Sequence, residues 1–135
     1  MRFTVYKTKS FSRFARKVRI CDADLWESAR RANAGLIDAD LGGGVIKQRI
    51  ARKGEGKSGG VRTLILFRFQ ARAVFVVGFE KKDRGNIHAG DLEILRELAG
   101  VILGYSDAEM AARVVDGSLI EIMPAWEGID EQKIS

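Results

Sequence analysis

The chain has a single cysteine, Cys21, and a single histidine, His88, so it can build neither a disulfide framework nor a zinc site of several Cys or His ligands. Cys21 reads as a small buried hydrophobe. Acids are scarce where cations gather: residues 43–84 hold eleven Lys and Arg against Glu55, Glu80 and Asp83, a formal +8 in a chain whose total is +5. Carboxylates are too sparse there to gather magnesium, so any chemistry is expected to run without a metal or other cofactor. No apolar run approaches the ~20 residues of a membrane-spanning helix. Met1-Arg2-Phe3 leads into alternation rather than the apolar core of a signal peptide. The expectation is a cytoplasmic protein with no membrane partner.

With 135 residues, 46% of them hydrophobic, the chain is the size of one ordinary domain, able to bury roughly two-thirds of its unfolded surface. No linker or internal repeat divides it, so residues 1–135 are expected to form one domain, its end from about residue 106 being an acidic extension. Formal charge is +4 over residues 1–42, −2 over 85–105 and −5 over 106–135. A pI near 9.6, with the cations in one block, points to a polyanionic partner, because clustered Lys and Arg displace the counterions condensed on phosphates. RNA or DNA fits better than a membrane.

RFTVY at residues 2–6 alternates, with Phe3 and Val5 on one face of a short strand, before a basic linker or helix from Phe11 to Arg19 in which Phe11 and Phe14 are core anchors. Asp22 or Asp24 can cap the next helix, where Leu25, Trp26, Ala29 and Leu36 recur at helical spacing and Gly35 is the stop. Trp26 is read as packing rather than base stacking. In VIKQRIA, Ile46 and Ile50 share one face of a strand, and Val45, Lys47, Arg49 and Ala51 the other. After GEGKSGG, a second strand carries Val61, Thr63, Ile65, Phe67 and Phe69 on one face and Arg62 and Arg68 on the other. Gln70 is a turn, and ARAVFVVGF a third strand. Leu92, Leu95, Leu98, Ala99 and Ile102 space out an amphipathic helix within Asn86–Gly104 that covers one sheet face. Ser106-Asp107-Ala108-Glu109 is a capping box opening a helix to about Asp116. SLIEIM is a strand or a partner-binding segment, and Glu127–Ser135 a polar tail.

Gly54, Gly56 and Gly59 satisfy GxGxxG, but that fingerprint needs a helix next and a β-branched strand follows. Gly56-Lys57-Ser58 imitates the end of a P-loop, yet Ala51 stands where the earlier glycine belongs. Both nucleotide readings fail. What remains is a glycine hairpin bearing Lys53 and Lys57 between Arg49 and Arg62, suited to a phosphodiester or, equally, a solvated turn. An imidazole titrates near neutrality in water; His88 serves as a proton carrier, or it caps the helix that follows or lies exposed at the surface.

LIDADLGGGVIKQRIARKGEGKSGGVRTL followed by FVVGFEKKDRGNI closely resembles the RelE and HigB toxins of bacterial type II toxin–antitoxin pairs. The likeness runs over roughly residues 3–120 and is most specific in GKSGGVRTL and GFEKKDRGNI. It implies a small α+β, RelE-like fold, with N-terminal helices and a C-terminal helix packed on a curved antiparallel sheet. It also implies a toxin that cleaves mRNA on translating ribosomes and is blocked by a cognate antitoxin, HigA-like with a helix-turn-helix domain. Carried over by position, Arg62, Lys57, Lys82 and His88 become the catalytic candidates, with Lys47, Arg49, Arg52, Lys53 and Arg84 binding RNA. Some relatives have a tyrosine near the place of His88, and an aromatic often stands where this chain has Val61.

Such chemistry needs no metal: the 2′-OH attacks the adjacent phosphate, leaving a cyclic phosphate and a 5′-hydroxyl. One group takes the 2′ proton, another protonates the leaving oxygen, and cations stabilise the phosphorane. A single histidine excludes a two-histidine mechanism, so the base is His88 or a lysine whose pKa neighbouring cations depress. Arg62, permanently charged, suits phosphate stabilisation. The rival readings are a ParE-like toxin, which shares the fold and poisons DNA gyrase through protein contacts, and a degenerate RNA-binding module.

Overall fold

A computed structural model describes residues 2–52, 56–80 and 89–124. Its elements run β1 (Thr4–Thr8), α1 (Lys9–Val18), α2 (Asp22–Asn33), β2 (Ala39–Asp40), β3 (Val45–Arg52), β4 (Gly56–Arg68), β5 (Arg72–Glu80), α3 (Ala89–Ile102), α4 (Asp107–Val115) and β6 (Leu119–Ile122). The strands form one six-stranded sheet in the order β2-β3-β4-β5-β1-β6. Every neighbouring pair is antiparallel except β1 and β5, which run parallel. That pair is parallel because α1 and α2 carry the chain away from β1 and two reversals, β3 to β4 to β5, bring it back in the starting direction.

Local chemistry sets the helix limits. Thr8 Oγ1 accepts from the Phe11 N–H at 3.2 Å and opens α1, whose buried Phe11, Ala15 and Val18 recur every three or four residues. At α2 the expected cap is corrected. Cys21 occupies the N-cap position, and the Asp24 carboxylate reaches back to accept from its backbone N–H at 3.3 Å. Cys21 is exposed, not buried, since a residue opening a helix at the surface has no core to enter. Gly35, at φ +92°, ends α2 as expected. Leu36 therefore lies beyond the helix and is exposed. The Ser106–Glu109 capping box of α4 forms in full, at 3.0 and 3.1 Å.

The sheet is packed on both faces. On one, Val5, Ile46, Ile50, Val61, Ile65 and Phe75 meet Phe11, Ala15, Leu25 and Ala29 of α1 and α2. On the other, Val45, Leu64, Leu66 and Val74 meet Ala99 and Ile102 of α3 and Met110 of α4. Trp26 does pack, its ring 6.3 Å from that of Phe3. The acidic stretch after residue 105 is built into this fold as far as β6, which contributes Leu119 and Ile122 to the two cores. Two alternations end sooner than their spacing suggests. Phe69 belongs to the turn after β4 and is 61% exposed, and Leu98 sits on the rim of α3 at 37%.

Gly56–Gly60 extend β4 instead of forming a loop. The register between β3 and β4 slips between Ile50 and Arg52, and the backbones close in there: a Cβ on Gly60 would stand 2.6 Å from the Ile50 carbonyl oxygen. Glycine is needed at 60 for that approach.

Candidate nucleic-acid interface

Lys47 and Arg49 project from β3 on the face shared with Val45, because strand side chains alternate. Arg62 of β4 stands directly opposite Arg49 in the ladder, and Lys47 opposite Leu64. The three cations thus continue the α3-covered face past its apolar residues. Arg49 is exposed; Lys47 and Arg62 are half-buried.

Two like charges facing each other across an antiparallel pair destabilise a sheet by roughly 0.2–1 kcal/mol. Among the described residues no carboxylate forms an ion pair with either arginine or with Lys47. Asp38 of the neighbouring turn spends an oxygen on the backbone N–H of Arg49 at 2.7 Å. The Arg62 guanidinium donates from Nη1 to the Gly60 carbonyl at 3.3 Å, which leaves its remaining donors for a ligand. Among the described residues the arrangement is a cationic pair that forms no ion pair with a carboxylate, suited to a phosphate.

Phe79 is a member of this surface that alternation hides. Counting by twos along FVVGF puts Phe75, Val77 and Phe79 on one face, yet Phe75 pairs with Ile65 and Val77 with Leu64, leaving Val76 as an extra residue in β5. Phe75 consequently enters the α1–α2 core, and Phe79 emerges on the cationic face as the direct partner of Arg62. Gly78 turns the other way, onto the ring of Phe14.

Of the other residues named for the site, Arg52 and Lys57 belong to β3 and β4 by backbone alone. Lys53, Lys82, Arg84 and His88 lie outside the described residues, as does the tail from 127 to 135. Among the described residues, no group of three or more His, Cys, Asp or Glu stands close enough to hold a metal ion.

Not every cation of the basic block belongs to this surface. Arg72, 8% exposed, donates from Nη1 to the carbonyls of Ile102 and Tyr105 at 2.9 and 3.0 Å. It is a cap on the C-terminal end of α3, where a positive charge meets the negative end of the helix dipole.

The family model for the RelE toxin of the RelE / RelB toxin-antitoxin system matches residues 2–122. The chain belongs to the RelE toxin family. The match takes in every described strand and helix, so the Arg49–Arg62 pair and Phe79 are features of a RelE domain rather than of an appendage. Among curated proteins no match was found. A RelE toxin belongs to a toxin–antitoxin system, and an antitoxin is its partner. Among the described residues no helix is long and apolar enough to cross a membrane.

Proposed function

We propose that this RelE toxin is a metal-independent endoribonuclease that cuts mRNA on translating ribosomes and so inhibits translation in the cytoplasm. The observation that carries the reading is the cross-strand Arg49–Arg62 pair beside Lys47 and Phe79, which among the described residues forms no ion pair with a carboxylate. Like charges kept together at a cost to the sheet have a use when a polyanion comes between them. Arg62, tied to its own strand and half-buried, stabilises the phosphorane; Arg49 and Lys47 hold flanking phosphates; Phe79 offers an aromatic edge or face to a splayed base. Arg52, Lys53 and Arg84 extend the phosphate track. The proton is taken by His88 or by Lys57 or Lys82 with a depressed pKa.

Residues 1–135 act as one domain, restrained by a cognate antitoxin that is HigA-like and carries a helix-turn-helix. The deciding experiment is primer extension on a translated message, with gyrase supercoiling measured in parallel. New 5′ ends within the decoded message, absent with Arg62→Ala, support the reading. Unbroken message with inhibited supercoiling replaces it by a ParE-like action on gyrase, and binding without either effect by a non-catalytic RNA binder.

A further inference from the structure

The strongest charge asymmetry outside the interface lies on α1. Lys9, Arg13, Arg16 and Lys17 are all exposed, and at 100° per residue they fall within an arc of about 100° opposite the buried Phe11, Ala15 and Val18. At 1.5 Å per residue the row is about 12 Å long. The helix contains no acid, and among the described residues none of these four side chains forms an ion pair. Each other helix that carries cations pairs at least one of them: Arg30 with Glu27, Arg96 with Glu93, Arg113 with Asp116.

Retaining this row has costs. Lys9 and Arg13, Arg13 and Arg16, and Arg13 and Lys17 are like charges at three- and four-residue spacing, which oppose helix formation. Arg19, next in line, sits at the helix end with φ +63°, a conformation that glycine adopts freely and L side chains rarely. A cation stands there at the expense of backbone ease.

We propose that this face of α1 is a second RNA-binding surface, which takes the phosphate backbone of double-helical RNA. Resting on the endoribonuclease reading, it gives the toxin a hold on structured RNA separate from the strand it cuts. The two surfaces are on opposite sides of the sheet: α1 packs through Phe11 onto Phe75, while Arg62 and Phe79 face away. The ligand is backbone rather than unpaired bases because the exposed α1 row offers no aromatic platform; Phe11 is buried and Phe14 packs against the core. A straight, rigid line of cations suits the regular phosphates of an A-form duplex, which proteins read by shape and backbone.

The test uses the full chain and a blunt RNA duplex of about 16 base pairs, the span of a typical duplex-binding domain, with affinity followed across a salt series. Arg13→Gln/Arg16→Gln/Lys17→Gln should flatten the slope of log K against log salt by about 2 to 3, at about 0.9 per lost phosphate contact. A control with the same charge change elsewhere, Arg30→Gln/Arg31→Gln/Arg113→Gln, should leave the slope within about 1 of wild type. Arg19→Gly should raise the melting temperature yet weaken duplex binding, which a purely structural role would not do. The proposal is overturned by an unchanged slope in the α1 triple variant, by an equal loss in the control, or by a defect confined to binding the antitoxin. Because duplex binding is read without cleavage, its failure leaves the nuclease reading standing, which primer extension on translated message tests by itself.

Discussion

Replacing Arg72 by methionine should damage the fold while leaving the cationic surface intact. Methionine keeps much of the side-chain length but donates nothing, so the carbonyls of Ile102 and Tyr105 lose donors at 2.9 and 3.0 Å. Hydrogen bonds from a charged donor contribute roughly 1.5–3 kcal/mol each, and a buried acceptor left bare costs about as much. The Ile102 bond is buried and the Tyr105 bond partly so; apolar contact from the methionine offsets part of the loss. The ion pair adds little, since it is long at 3.8 Å and Asp107 is fully exposed. A net loss of about 3 kcal/mol follows, against a total stability of roughly 5–15 kcal/mol for a domain. For a chain of this size that lowers Tm by about 10 °C. Urea unfolding followed by circular dichroism measures it, with an unchanged m-value showing that the change is one of stability. A variant within 1 kcal/mol of wild type would refute the capping role and return Arg72 to the uncommitted cations of the basic block.

Arg62→Ala should behave oppositely. Its melting temperature stays near wild type while cleavage falls at least a hundredfold, by analogy with the ~3–4 kcal/mol of an oxyanion donor, and single-turnover assays on translated message check this. Gly78→Ala drives a methyl group into the Phe14 ring, so it should cost about 1–3 kcal/mol, partly recovered by adding Phe14→Leu; equal stability of both variants and wild type would remove the contact from the core. The Ser106 backbone N–H, with its hydroxyl, holds the Glu109 carboxyl below its ordinary value of 4.5. A lowered carboxylate stabilises the fold above its unfolded pKa and loses that contribution as pH falls through the folded one. Amide exchange at the start of α4 should therefore quicken below about pH 4.5 in wild type and respond less to acid in Glu109→Gln, whereas matching profiles would mean the cap has no such role.

Where one local rule governs a segment, the sequence is a sufficient guide. Phe3 and Val5 alternate into the core, Gly35 supplies the positive φ that stops a helix, and Ser106 with Glu109 closes a capping box. The paired face of Lys47, Arg49 and Arg62 was legible for the same reason: a strand has only two sides. Features set by distant partners were not. Arg72 is one of eleven cations in a basic block until α3 brings its last carbonyls to it. Nothing in FVVGF announces which valine is the extra one, because the slip is decided by the register against β4. Phe69 continues its strand's alternation in sequence but follows the chain into the turn, where Gln70 takes φ +59°. The parallel β1–β5 pairing depends on where the chain returns, and no short window of residues encodes that.

The extra Val76 gives β5 a spare residue, and slack of this kind is one-sided. Deleting Val76 would let Phe75 and Val77 follow each other in regular alternation, each keeping its partner, Ile65 or Leu64, and its side of the sheet. The cost would be limited to one buried valine, about 1.5–3 kcal/mol, together with the added local twist that a bulge imparts. Adding a residue has no such reserve: between Val77 and Phe79 it would reverse Phe79 and turn it toward Phe14. The shortened strand would still bury its core, but Phe79 would stand beside Arg62 at an altered angle. Length variation at this one position can therefore retune the cationic surface of the toxin without re-engineering its interior.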